Sequence, residues 1–267
     1  MVSVRALMKA FGVPSTGNRS VCFHLFGFAR QRVPTDPTAA TAFVSLLQHA
    51  ADRTNPRVHL NIIRVGFDGV PVADRDARAD MVDYGIYKAR NIYRTVGIAL
   101  GRVEHYTITS AQSNGRDDLG TTGEMDVLSD EWSVNNDGVD VFVVRTISAD
   151  NIVGISPVPG SCDKDLSAPQ PGGTPANPQD TGSRNDGMVG GELDREPDGF
   201  ARTLAHELGH FLNLPHNHGA EPDCPDDNAG LNNLMAQTRC ALSTRDSVLL
   251  TSAQGDTMKE HCAVRNP

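Results

Sequence analysis

The sequence predicts an α/β (α+β) fold, a twisted mixed sheet carrying long helices, on three observations. Val58, Leu60 and Ile62 alternate with His59 and Asn61, the period of a strand, and Ile63 and Val65 extend the run. Val82, Ile86, Ala89, Tyr93, Val96 and Leu100 recur at helical spacing. A strongly apolar run, VDVFVVRTI, follows at Val139–Ile147. A long helix lying between strands implies a crossover within one sheet.

Taken in chain order, residues 1–56 are weakly patterned. Thr41–Asp52 alone has helical character, after the polar turn VPTDPT. The first strand is 58–65, broken by the turn residues GFDGVP. The periodic run makes 78–100 a helix, and Arg102–Ser110 a second strand. The apolar run 139–147 is a third strand, and Ile152–Ser156 is a short fourth ended by Pro157 and Pro159. Residues 160–198 are dominated by Gly, Pro, Ser, Asp and Asn, and are expected to be one long surface loop. A second helix, Phe200–Leu212, follows it directly.

Composition narrows the function. A chain of 267 residues is long enough for a substantial core, and 39% hydrophobic with 21% charged residues is ordinary for a globular protein. No apolar stretch reaches the roughly 18 residues needed to cross a bilayer, so no membrane insertion is expected. With 33 acidic against 24 basic residues the net charge is −9, which argues against a nucleic-acid partner. The five cysteines, Cys22, Cys162, Cys224, Cys240 and Cys262, form no C-x-x-C pair. Three of them fall in the last third, as in a locally stapled exported domain, so a secreted protein is expected. Met1–Thr16 carries Arg5 and Lys9 without an unbroken apolar core and makes a poor signal peptide.

The informative segment is FARTLAHELGHFL. His206 and His210 stand at i and i+4, one helical turn apart, so both imidazoles can reach one Zn²⁺. Glu207 projects beside that ion rather than onto it, the place of a general base for water attack. Pro215 ends the helix, and His216 follows His210 by six residues, where a turning chain can return a third imidazole to the metal. Three protein ligands with an open fourth position is the catalytic form of a zinc site. His218, two residues past His216, competes for the third position. His24, His49, His59, His105 and His261 are scattered, and are expected to be structural or at the surface. No EF-hand spacing, phosphate loop or G-x-S-x-G elbow is present.

The run from His206 to His216, HELGHFLNLPH, resembles the elongated zinc signature of the metzincin metalloproteases, H-E-x-x-H-x-x-G-x-x-H. Asn213 stands where that signature has Gly, and Asn is the next residue best able to adopt a left-handed conformation. The resemblance implies a zincin fold with the zinc helix at a cleft. An upper subdomain would span 57–217, and a small irregular lower subdomain 218–267 would close with a helix at 251–262. It makes Met235, in Asn232-Asn233-Leu234-Met235-Ala236, the methionine of a turn beneath the zinc. The wording around it is most similar to the pappalysin-type group. That similarity implies a Cys224–Cys240 disulfide, and Cys162–Cys262 is the second pairing considered. Gln237 occupies the position where that group often has Tyr, so no role is given to it. The strand 139–147 or the segment Ile152–Ser156 would offer an edge to an extended peptide. Residues 236–246, with Gln237, Thr238, Arg239, Ser243, Arg245 and Asp246, would wall the pocket after the scissile bond. Residues 1–56 would be a pro-like segment, in which Cys22 is either a zinc-capping thiol or a small buried hydrophobe.

The function these residues imply is a zinc-dependent endopeptidase acting on peptide or protein substrates, with Glu207 as general base. Two rivals stand beside it. One is a zincin with an acidic third ligand, the other a secreted binding module with a structural or vestigial zinc site. Asp223, Asp226, Asp227 and Asn228 form an oxygen-rich cluster, read either as a solvated loop or as a Ca²⁺ site.

Overall fold

The computed structural model describes residues 55–149, 152–164, 187–192, 196–218, 224–243 and 245–267. They belong to one unit, Asn55–Pro267. The expectations for Cys22, His24, His49, the helix at 41–52 and Asp223 lie outside the described residues.

The elements are β1 (Arg57–Val65), α1 (Val72–Arg94), β2 (Ala99–Ile108), α2 (Ser110–Ser113), β3 (Asp118–Leu119), α3 (Thr122–Glu131), β4 (Val139–Val144), β5 (Thr146–Ile147) and β6 (Gly187–Glu192). They continue with α4 (Pro197–Phe211), α5 (Asn228–Leu231), α6 (Ser252–Lys259) and β7 (Val264–Arg265). The main sheet has the order β2-β1-β4-β6, and these four strands run parallel. β7 pairs antiparallel with the start of β1, and Ile155 makes an isolated antiparallel bridge to Val189 on the outer side of β6. The fold is α/β, with a mostly parallel sheet.

Both faces of the sheet are covered, as parallel sheets require. On one face Leu60, Ile62, Val139 and Val141 pack with Ile86, Tyr93, Phe200, Leu204 and Leu208 of α1 and α4. On the other, Ile63, Val65, Phe142 and Val144 pack with Leu128 and Trp132 at the end of α3. The Tyr93 hydroxyl, buried in the first layer, donates to the Ala205 carbonyl at 2.7 Å and ties α1 to α4.

Several boundaries differ from the sequence expectation. The helix placed at 78–100 runs from Val72 to Arg94, because Gly97 takes a left-handed φ of 75° and reverses the chain into β2. β2 accordingly starts at Ala99 and ends at Ile108, earlier at both ends than Arg102–Ser110. The strand at 139–147 divides at Arg145 into β4 and β5, and β4 pairs on both sides, so it offers no free edge. Ile152–Ser156 is a single bridge rather than a strand. The closing helix is Ser252–Lys259, shorter than 251–262. The stretch 160–198 is not one surface loop, since its residues 187–191 are the buried part of β6 and α4 begins at Pro197. β6 is glycine-rich for a packing reason. A Cβ on Gly190 would lie 2.8 Å from Val141 and 2.9 Å from Leu204, between the sheet and α4.

Two disulfides close the unit, Cys162–Cys262 and Cys224–Cys240. They are compatible with an extracellular location. Among the described residues no helix is long and apolar enough to cross a membrane. The sequence separations are 100 and 16 residues. In the chain-entropy model such loops stabilise by about 4.7 and about 3 kcal/mol respectively. Serine replacement of each pair is therefore expected to lower the urea midpoint, more for Cys162–Cys262. Unchanged midpoints, or thiols titratable in the unreduced protein, would refute the pairing.

Candidate metal centre

α4 begins with Pro197 in its first turn, a position where the missing N–H costs nothing. Its residues from Gly199 to Phe211 are all buried. The helix ends in a Schellman motif. Asn213 N donates to His210 O at 2.9 Å and Leu214 N to Gly209 O at 2.9 Å, with Asn213 at φ 74°. The left-handed residue turns the chain back, so that Pro215 and His216 return towards the helix they have just left.

That return brings three imidazoles together. The Nε2 atom of His216 lies 3.3 Å from Nε2 of His206 and 3.2 Å from Nε2 of His210. Two nitrogens bound at about 2.0–2.1 Å to one tetrahedral ion would stand about 3.3 Å apart. The donor set therefore fits zinc in both chemistry and spacing. The Nδ1 atoms of His206 and His210 are occupied in the way metal-binding histidines require. His206 Nδ1 donates to Leu234 O at 2.7 Å and His210 Nδ1 to Leu214 O at 2.6 Å, which leaves both Nε2 atoms unprotonated in the neutral ring. Burial holds His206 well below the usual histidine range and pushes His210 down to about 4, so both stay neutral and ready to ligate. His206, His210 and His216 form a group that could hold a metal ion.

His218 is not part of that group. Its ring lies parallel to that of His216 with centroids 6.0 Å apart, and its ring nitrogens are buried with no hydrogen-bond partner among the described residues. Among the described residues no carboxylate joins the three histidines, so the structure offers no acidic third ligand there.

Glu207 is 6% exposed and packs against the 152–156 segment. A Cβ on Gly154 would lie 2.7 Å from Glu207 Cγ and 3.1 Å from Oε1, so only glycine lets that segment pass. Burial pushes the Glu207 carboxyl up to about 8, and the Arg202 guanidinium pulls the other way. A dication on the three histidines would pull it further down.

Met235 is fully buried beneath the same helix. A Cβ on Gly209 would meet its Sδ at 2.6 Å, so Met235 fills the space under the turn between His206 and His210. The turn is closed by Met235 N donating to Asn233 Oδ1 at 2.9 Å and Ala236 N to Asn233 O at 3.1 Å. Gln237 is buried and accepts from Arg239 Nε at 2.6 Å. Asp227 caps α5, its Oδ1 accepting from Gly230 N at 2.6 Å, while Asp226 is exposed. Neither belongs to a metal-holding group among the described residues. His261 is nearly buried, with Nε2 donating to Gly160 O at 3.0 Å.

Sequence reasoning missed Arg202, which is 2% exposed and donates into the Met235 segment. The available signal was the one Lys or Arg of this helix, one turn before His206. It also missed Gly154, which nothing in its neighbourhood marks. No family model matches the chain and no curated protein matches it, so what this centre is rests on its own three histidines, their carbonyl partners and the buried glutamate beside them.

Proposed function

We propose that the protein is a zinc-dependent endopeptidase of metzincin type. The observation that carries this reading is one buried glutamate set beside a three-histidine metal group with no fourth protein ligand among the described residues. A purely structural zinc site is closed by four ligands and has no use for a base.

A zinc ion held by His206, His210 and His216 would supply Lewis acidity to a water and to the scissile carbonyl. Glu207 takes the proton released when that water attacks the carbonyl carbon. It then delivers the proton to the leaving amine nitrogen as the C–N bond breaks. Glu207 carries the proton because its carboxylate is held beside the metal group and shielded from bulk water. The chain's own elements suit an extended peptide. Ile155 exchanges both backbone hydrogen bonds with Val189, at 3.2 and 2.8 Å, and the adjoining Gly154 lies against Glu207, so this segment is the backbone an added peptide strand would meet. In this reading 57–217 forms the upper part of the cleft and 218–267 the lower, with Met235 supporting the site from beneath.

The test is metal analysis combined with casein digestion. One zinc per chain is expected, with digestion stopped by a chelator and restored by added zinc. Zinc binding without digestion of casein or of a mixed peptide library would favour the binding-module reading instead.

A further inference from the structure

Between Leu231 and Ser252 the described residues form no helix or strand, yet this stretch carries Met235 and lies under the three-histidine group. Its shape therefore depends on individual hydrogen bonds. One side chain supplies an unusual share of them. Arg202 Nε donates to Ser247 O at 3.0 Å, Nη1 to Thr238 Oγ1 at 3.3 Å, and Nη2 to Leu234 O at 3.2 Å and to Ala236 O.

One of these acceptors is shared with the metal group. Leu234 O also receives His206 Nδ1–H at 2.7 Å. A single carbonyl oxygen thus links the Arg202 guanidinium to the imidazole whose Nε2 faces the metal position. We propose that Arg202 is a positioning residue: its planar fork fixes the Leu234 carbonyl that aims His206 and the Ala236–Thr238 backbone that walls the cleft. Arginine suits this task because five N–H groups in one rigid plane hold several carbonyls at once, which a lysine ammonium does not do. Partners that orient a metal-ligating histidine typically change metal affinity or activity by about 10–100-fold when removed.

The half of this proposal concerning His206 rests on the three-histidine group alone. The half concerning the wall rests on the peptidase reading. Arg202→Lys, Thr238→Val and Tyr93→Phe, each made in the full chain, separate the two. Four quantities are read: zinc affinity by chelator competition, the visible bands of the Co²⁺-loaded protein, the thermal midpoint, and cleavage of peptides differing after the scissile bond. Arg202→Lys is expected to weaken zinc binding by about 10–100-fold and to shift the Co²⁺ bands. Thr238→Val is expected to reorder the peptides while keeping zinc affinity. Tyr93→Phe removes an equally buried hydrogen bond to the same helix, and is expected to lower the thermal midpoint alone.

Wild-type affinity and bands in Arg202→Lys would overturn the proposal. So would an equal loss of affinity in Tyr93→Phe, since that would mean only a general loosening of α4. Should Arg202→Lys not fold, Thr238→Val carries the test, and unchanged peptide ranking with unchanged bands overturns it. A wild-type protein that cuts no peptide would defeat the peptidase reading, while affinity and bands still decide on Arg202.

Discussion

Replacing Glu207 by glutamine is expected to lower proteolysis by about 10²–10⁴-fold, the contribution of a positioned general base, while leaving one zinc bound per chain. The substitution keeps shape and packing. Glutamine fits the space against Gly154 that Glu207 fills. It also leaves the three Nε2 donors untouched, because the carboxylate is not one of them. What it removes is the oxygen able to accept and return a proton. Steady-state cleavage with parallel metal analysis checks this. Activity within about tenfold of wild type would end the assignment of Glu207 as base, and loss of zinc would make it a ligand.

The second large effect concerns His216, which is delivered to the metal group from beyond the helix. His216→Ala is expected to lower zinc affinity by more than about 100-fold, beyond what loss of an outer partner does, and to remove activity with it. His218→Ala should bind zinc as wild type does, because its ring stands parallel to His216 but outside the ligand group. Equilibrium dialysis of both variants decides the matter. The opposite pattern would move the third ligand to His218.

The three-histidine group was legible in the sequence because helical spacing converts directly into geometry. His206 and His210 at i and i+4 share a face wherever the helix lies, and Pro215 guarantees a break before His216. Asn213 was legible for the same reason, as a residue tolerant of φ near the observed 74°. β1 and β4 announced themselves through branched apolar runs. β6 did not. Its sequence, GMVGGE, has small residues where α4 and β4 approach closely, and small residues carry no periodic signal. The helix α3 was passed over although Thr121 and Glu124 form a capping box, a local signal available in the sequence. The end of α1 was misplaced because Val96 and Leu100 continue the helical period, although the helix has ended at Arg94 and Gly97 turns the chain between them. Arg202 was invisible for a different reason: three of its four acceptors are backbone carbonyls 32 to 45 residues away, and carbonyls look alike in any sequence.

The Cys162–Cys262 bond encloses the metal helix, the Met235 turn and α6 within one covalent ring. A single cut anywhere from Asp163 to His261 therefore opens the ring without releasing a fragment. Were the chain to hydrolyse peptide bonds as proposed, the substrate nearest to hand would be another copy of itself. Self-inflicted nicks in this region would leave the mass of the molecule unchanged but for one added water. Both pieces would migrate together on a gel until a reductant parts them. A preparation judged intact without reductant can thus be a population already cut, still joined through two sulfur atoms.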